Sequence, residues 1–195
     1  MKRIIQFLGL MFLILCFSTV AMAADKGKSP IPGMTKDQLV KLAKSAAPAS
    51  ISDHATIMIP GADGKLVEAV MGTNGFTCIP DIDGLEDPDP MCGDAASMQW
   101  ANDLMSGAAK PANTVPGIAY MAKGGWLYEK DGKILMKDEP GAVLVKEPPH
   151  WMLFWPFDSK TSGIPSMPND LGTYVMWDGT PFSHLMIYQD PGKLK

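Results

Sequence analysis

Three histidines each stand close to a methionine: His54 with Met58, His150 with Met152, and His184 with Met186. The last two pairs have the form His-x-Met. On a strand, residues i and i+2 point to the same face, so each pair would present an imidazole beside a thioether. Imidazole and thioether ligands suit copper in either oxidation state. His150, Met152, His184 and Met186 are therefore the candidate metal ligands, and copper is the candidate ion. The same rings would also serve as general bases, because an imidazole pKa of about 6.5 keeps both protonation states within reach near neutral pH. Core packing competes with both readings: the chain carries 15 methionines, and methionine fills irregular cores well.

The segment His150-Trp151-Met152-Leu153-Phe154-Trp155-Pro156-Phe157 is the most aromatic in the chain. Its apolar residues fill both faces, as in a central strand buried on both sides. It reads first as core and second as the edge of a cleft. Trp151 and Trp177 are the candidate ligand-binding walls of such a cleft. The acidic loop Asp81-x-Asp83-Gly84-x-Glu86-Asp87-x-Asp89 offers oxygens at alternate positions, as calcium requires. However, Leu85 falls where a calcium loop would place a ligand, so this stretch reads as a solvated loop.

Motifs for nucleophilic catalysis are missing. There is no Gly-x-Ser-x-Gly elbow, no His-Glu-x-x-His and no glycine-rich phosphate loop. Ser183 precedes His184 directly, which on a strand puts them on opposite faces. Three function classes remain. Binding of a small molecule or a soft metal comes first, and a hydrolase or isomerase-like enzyme using His150 or His184 comes second. A structural or protein-interaction module comes third.

The elements that would position these residues follow from turn and period signals. Thr35 caps a short amphipathic helix over 35–47, stopped by Pro48. Strands are expected at Ala55–Ile59 and Leu66–Met71, joined by Pro60-Gly61-Ala62-Asp63-Gly64. An Asn74-Gly75 turn leads into Phe76–Ile79. A second helix is expected from about Met91 to Ser106, capped by Asp89 or Asp94. Further strands are expected at Ile118–Met121, Trp126–Glu129, Ile134–Met136, Ala142–Val145, Tyr174–Trp177 and Phe182–Tyr188. Helices and strands do not alternate. The expected fold is α+β: a curved antiparallel sheet of several hairpins, about two helices, and long loops rich in proline and glycine.

The N-terminus reads as an export signal. Lys2 and Arg3 precede an apolar run from Ile4 to Val20, and Ala21-Met22-Ala23 is a small-x-small cleavage site. The apolar run is marginal for a membrane anchor, which needs about 20 residues. Cys16 lies inside the run and is followed by Phe17, which does not fit lipidation. The expected organisation is a signal peptide over 1–23, a flexible leader over 24–33 and a single domain over 34–195. The mature protein would be periplasmic or secreted, with no stable membrane span after cleavage. Cleavage removes Lys2 and Arg3 and no acid, moving the net charge from −4 to −6. An acidic chain without a basic cluster does not suit nucleic acid. Two cysteines remain, Cys78 and Cys92. In an oxidising compartment they form one disulfide, which in the chain-entropy model contributes roughly 3 kcal/mol.

Three phrases carry a resemblance: Thr73-Asn74-Gly75-Phe76-Thr77-Cys78-x-Pro80, Asp89-Pro90-Met91-Cys92, and the closing run from Tyr174 through Trp177-Asp178-Gly179-Thr180-Pro181-Phe182 to His184-Leu185-Met186. The Pro149-His150 step belongs with them. Together they resemble a group of exported bacterial proteins with no established activity. Phe76 and Phe182 stand where that group tends to carry Trp and Tyr. The resemblance covers most of the mature chain. It implies export and a single domain, and leaves the activity open.

Overall fold

The computed structural model describes residues 31, 33–85 and 87–194. The expected signal peptide, Cys16 and most of the expected leader lie outside the described residues. Thr35 caps helix α1 (Lys36–Lys44) through a capping box. Its Oγ1 accepts from the Gln38 amide at 3.3 Å, and Gln38 Oε1 accepts from the Thr35 amide at 2.8 Å. A single turn, α2 (Ala49–Ser52), leads to the hairpin β1 (Thr56–Pro60) and β2 (Leu66–Val70). β3 (Thr77–Ile79) then runs parallel to β1, with Ile57 facing Cys78. This departs from the all-antiparallel expectation. The chain leaving β2 passes back over the start of β1, where the Thr73 amide donates to the His54 carbonyl at 2.7 Å. It then returns on the other edge of β1.

β4 (Met91–Gly93) pairs with β3, and Cys78 and Cys92 face each other and are disulfide-bonded. The second helix was expected from about Met91, but its first residues are this strand. They are held by β3 on one side and β5 (Gly117–Met121) on the other. Helix α3 (Ala95–Met105) follows. Its cap Asp94 accepts from the Ser97 amide at 2.8 Å and from the Ile118 amide at 3.0 Å, so the cap also ties helix to sheet. Glycine at 93 and 117 lets the first turn of α3 lie on the sheet. A side chain at Gly117 would meet the Ser97 backbone, with Ser97 Cα at 2.7 Å.

The remaining strands are β6 (Gly125–Lys130), β7 (Lys133–Leu135), β8 (Val143–Glu147), β9 (His150–Phe154), β10 (Thr173–Met176) and β11 (His184–Ile187). The short helix α4 (Ser159–Ser162) precedes β10. Among the described residues, eight strands form one mixed sheet in the order β10-β11-β9-β5-β4-β3-β1-β2. β7-β6-β8 form a second, smaller sheet. The fold is α+β. No described helix is long and apolar enough to cross a membrane.

Strand alternation divides the core in two. Ile57, Cys78 and Cys92 face α1, with Leu39 and Ala43 against them. Ile79, Met91, Met121, Met152 and Met186 face the other way. They meet Trp100 of α3 and Leu127 of the small sheet.

Candidate functional site

The second face is where the His-x-Met pairs lie. β9 sits between β5 and β11, so three strands contribute side by side. Met121 is directly opposite His150, Met186 opposite Met152, and Met176 opposite His184. Each imidazole thus has a thioether two residues on and another across the strand, at the short spacing of cross-strand neighbours. Both rings line one apolar cavity of about 610 Å³. Its walls are mainly methionine and aromatic: Met91 adds to the sheet side, and Met98 and Trp100 of α3 together with Trp177 complete the lining. Loop residues Asp81, Ile82, Gly84 and Asp89 lie at one margin.

The two histidines sit in one cavity but at different stations. The register puts His184 beside Phe154 and His150 beside Tyr188. That separates their backbones by four positions, roughly 13 Å along the strand. His184 is enclosed by rings, with centroids at 4.9 Å for Trp100 and Phe154 and 5.2 Å for Trp177. Among the described residues, the one ring near His150 is Tyr188, at 6.1 Å.

Both rings are oriented the same way. His150 Nδ1 lies 2.8 Å from the Pro148 carbonyl, and His184 Nδ1 lies 3.0 Å from the Phe182 carbonyl. A carbonyl only accepts, so Nδ1 carries the proton and donates in both cases. Nε2 then holds the lone pair. In His150 that atom is buried and has no hydrogen-bond partner. A buried polar atom left unpaired costs about 1–3 kcal/mol, which marks it as a place for a ligand.

Burial pushes the His184 pKa down to about 4, against a smaller upward pull from its bond to Phe182 and with a further downward push from His150. The sign of the consequence is fixed. The unfolded chain takes up a proton near pH 6.5 that the folded protein refuses until about pH 4. Stability is therefore full above pH 6.5 and falls as the pH drops toward 4, by about 3 kcal/mol from this group. Urea unfolding of wild type and His184→Gln at pH 7 and pH 4.5 checks this. The variant is expected to lose less stability on acidification, and equal losses would contradict the assignment.

Two buried acids flank the cavity. Glu147 Oε1 accepts from Tyr174 Oη and, at 2.9 Å, from Tyr188 Oη. Burial and that carboxyl hold both phenols well above their ordinary range. Asp89 is 1% exposed, unlike a residue of a solvated loop. Its Oδ1 accepts from the Ile82 amide at 3.0 Å, and oxygens of Asp81, Asp83 and Asp89 lie within 4.8 Å of one another. Burial, with Asp81 and Asp83 nearby, pushes Asp89 up to about 9, so it keeps its proton at neutral pH.

The other sequence candidates divide. Trp177 lines the cavity and stacks on Trp100 at 5.8 Å, with a backbone φ of 52° in the left-handed region. Its Nε1 donates to the Leu135 carbonyl at 3.2 Å, which holds that conformation in place. Trp151 lies on the opposite face of β9 from His150 and Met152, and its Nε1 donates to Gln189 at 3.2 Å. It is not a cavity wall. His54 is exposed and its carbonyl holds the Gly72–Gly75 turn. Ser183 Oγ donates to the Phe157 carbonyl at 2.7 Å and does not serve His184. Sequence reasoning missed Glu147, Asp89 and Met121 as parts of the site. Their partners lie far along the chain, and only strand pairing brings them in. No family model, curated protein or solved structure matches this chain.

Proposed function

We propose that this chain is an exported binding domain whose cavity takes a small, largely apolar molecule, with His150 as its polar anchor. The observation that carries this reading is the apolar cavity of about 610 Å³ with a few polar groups at its margins. That volume and that balance are typical of small-molecule sites. The methionines supply flexible, polarisable walls that adapt to a ligand's outline. The stacked Trp100 and Trp177 rings favour a ligand with a flat unsaturated part. Nε2 of His150 is a lone acceptor, so the ligand carries an N–H or O–H donor at that end.

N-phenyl-1-naphthylamine is a neutral probe with both an aromatic body and an N–H. It is expected to bind saturably at one site per chain, with enhanced probe fluorescence and a raised melting temperature. Ala101 of α3 lines the cavity, and Ala101→Phe fills part of it. That variant is expected to weaken the probe about tenfold or more while keeping its fold. Absence of saturable binding, or binding indifferent to Ala101→Phe, would refute the reading.

Export is supported by the n-region, apolar run and Ala21-Met22-Ala23 step. The mature protein is expected to begin at Ala24 and to appear in a periplasmic or secreted fraction. N-terminal sequencing that finds Met1 on membrane-bound protein would contradict this.

A further inference from the structure

Gly125 opens β6, and its backbone does not call for glycine, since its φ is not positive. Its surroundings do. The point where a side chain would begin lies 3.0 Å from Met121 Cε, 3.7 Å from Asp89 Oδ2 and 3.8 Å from His150 Cε1. A thioether from β5, an imidazole from β9 and a carboxyl from the loop before β4 thus converge on one small space. The imidazole brings the buried, unpartnered Nε2.

We infer that this space is a binding site for one copper ion as Cu(I), with His150 Nε2 and Met121 Sδ as ligands and the Asp89 carboxyl beside them. Imidazole nitrogen and thioether sulfur together select soft, monovalent copper over harder ions. The Nδ1–H bond to the Pro148 carbonyl is the outer contact that commonly fixes a metal-bound histidine in its tautomer and orientation. Met121 and His150 are direct cross-strand partners, so the sheet sets their side chains next to each other on one face. Glycine at 125 keeps the space open, because any Cβ would press on the Met121 methyl. His184 does not belong to this set. It stands at the other end of the face, shut in by Trp100, Phe154 and Trp177. The site needs three side chains rather than the cavity volume, so it does not rest on the apolar-ligand reading.

The test is anaerobic titration of the disulfide-intact exported protein with Cu(I), in competition with bicinchoninate. One Cu(I) per chain is expected. His150→Gln and Met121→Leu are each expected to weaken it about tenfold or more, the usual effect of disturbing a metal's ligand environment. Met121→Leu nearly conserves volume, so it removes the sulfur and keeps the fold. Met71→Leu is the same change at a methionine that is 79% exposed and outside the cavity, and it should leave affinity within about twofold. Gly125→Ala puts a methyl into the space and should weaken binding as well. Three results would overturn the proposal: no Cu(I) bound by wild type, affinity unchanged in both His150→Gln and Met121→Leu, or Met71→Leu as damaging as Met121→Leu. N-phenyl-1-naphthylamine titrated in parallel separates the two claims. Probe binding without copper binding removes the metal site alone, and copper binding without probe binding removes the apolar-ligand reading alone.

Discussion

Trp100→Ala is expected to destabilise the protein by about 4 kcal/mol, within the range for truncating a buried Trp. Trp100 is 3% exposed, and it is the one ring that touches all the others around it. Its centroid lies 4.4 Å from Phe154, 5.2 Å from Phe182, 4.9 Å from His184 and 5.8 Å from Trp177. Such pairs contribute about 0.5–1.5 kcal/mol each beyond the area they bury. Truncation also removes the ring contacts of α3 with Phe154 and His184 of the sheet and widens a cavity that already exists, so collapse cannot fill the gap. Urea unfolding should show a lower midpoint with an unchanged slope. A loss below about 1 kcal/mol would mean that the rings do not act as one packed unit.

Glu147→Ala is expected to cost about 3 kcal/mol. The cost lies mainly in what the substitution leaves behind. Tyr174 is fully buried and Tyr188 half-buried, and both hydroxyls donate to the same carboxyl oxygen. Without Glu147 both lose their acceptor. Adding Tyr174→Phe and Tyr188→Phe to a Glu147→Leu background removes the orphaned hydroxyls together with the acid. That triple variant is expected to recover most of the loss, because replacing all partners by apolar groups is close to neutral. If the triple variant is less stable than Glu147→Ala, the three groups do more than satisfy one another.

Local signals in the sequence were enough for the hairpins. Asp131-Gly132 joins the paired strands β6 and β7 and Asp178-Gly179 joins β10 and β11, and Gly132 and Gly179 have positive φ, whereas Asn74-Gly75 marks a turn between strands that do not pair. The period of two placed His150 with Met152 and His184 with Met186 on shared faces. The same period should have moved Trp151 off the site, since it lies one residue from His150. Its aromatic bulk made it attractive, but only parity decides which face a strand residue takes. Trp177, just past the end of β10, lines the cavity.

What stayed hidden was lateral order. Nothing local says that β9 lies between β5 and β11, so Met121 could not be placed against His150. Nothing local predicts that Glu147 would accept from tyrosines 27 and 41 residues away. Asp89 reads as solvated because its neighbours are acidic. Its burial follows from Pro80 and Pro90, both fully buried, and from the disulfide that anchors the two ends of the loop. The parallel pairing of β1 and β3 likewise arises from a crossing that no turn motif encodes.

Methyl NMR of the methionine Cε groups, recorded with and without saturating N-phenyl-1-naphthylamine, tests the central claim most directly. Met91, Met98, Met121, Met152, Met176 and Met186 line the cavity, whereas Met71 is 79% exposed and lies outside it. If the cavity is the binding site, the cavity methyls shift strongly under the ring current of the probe and Met71 stays in place. If Met71 and other surface methyls move while the cavity set does not, the probe is binding outside and the account is wrong.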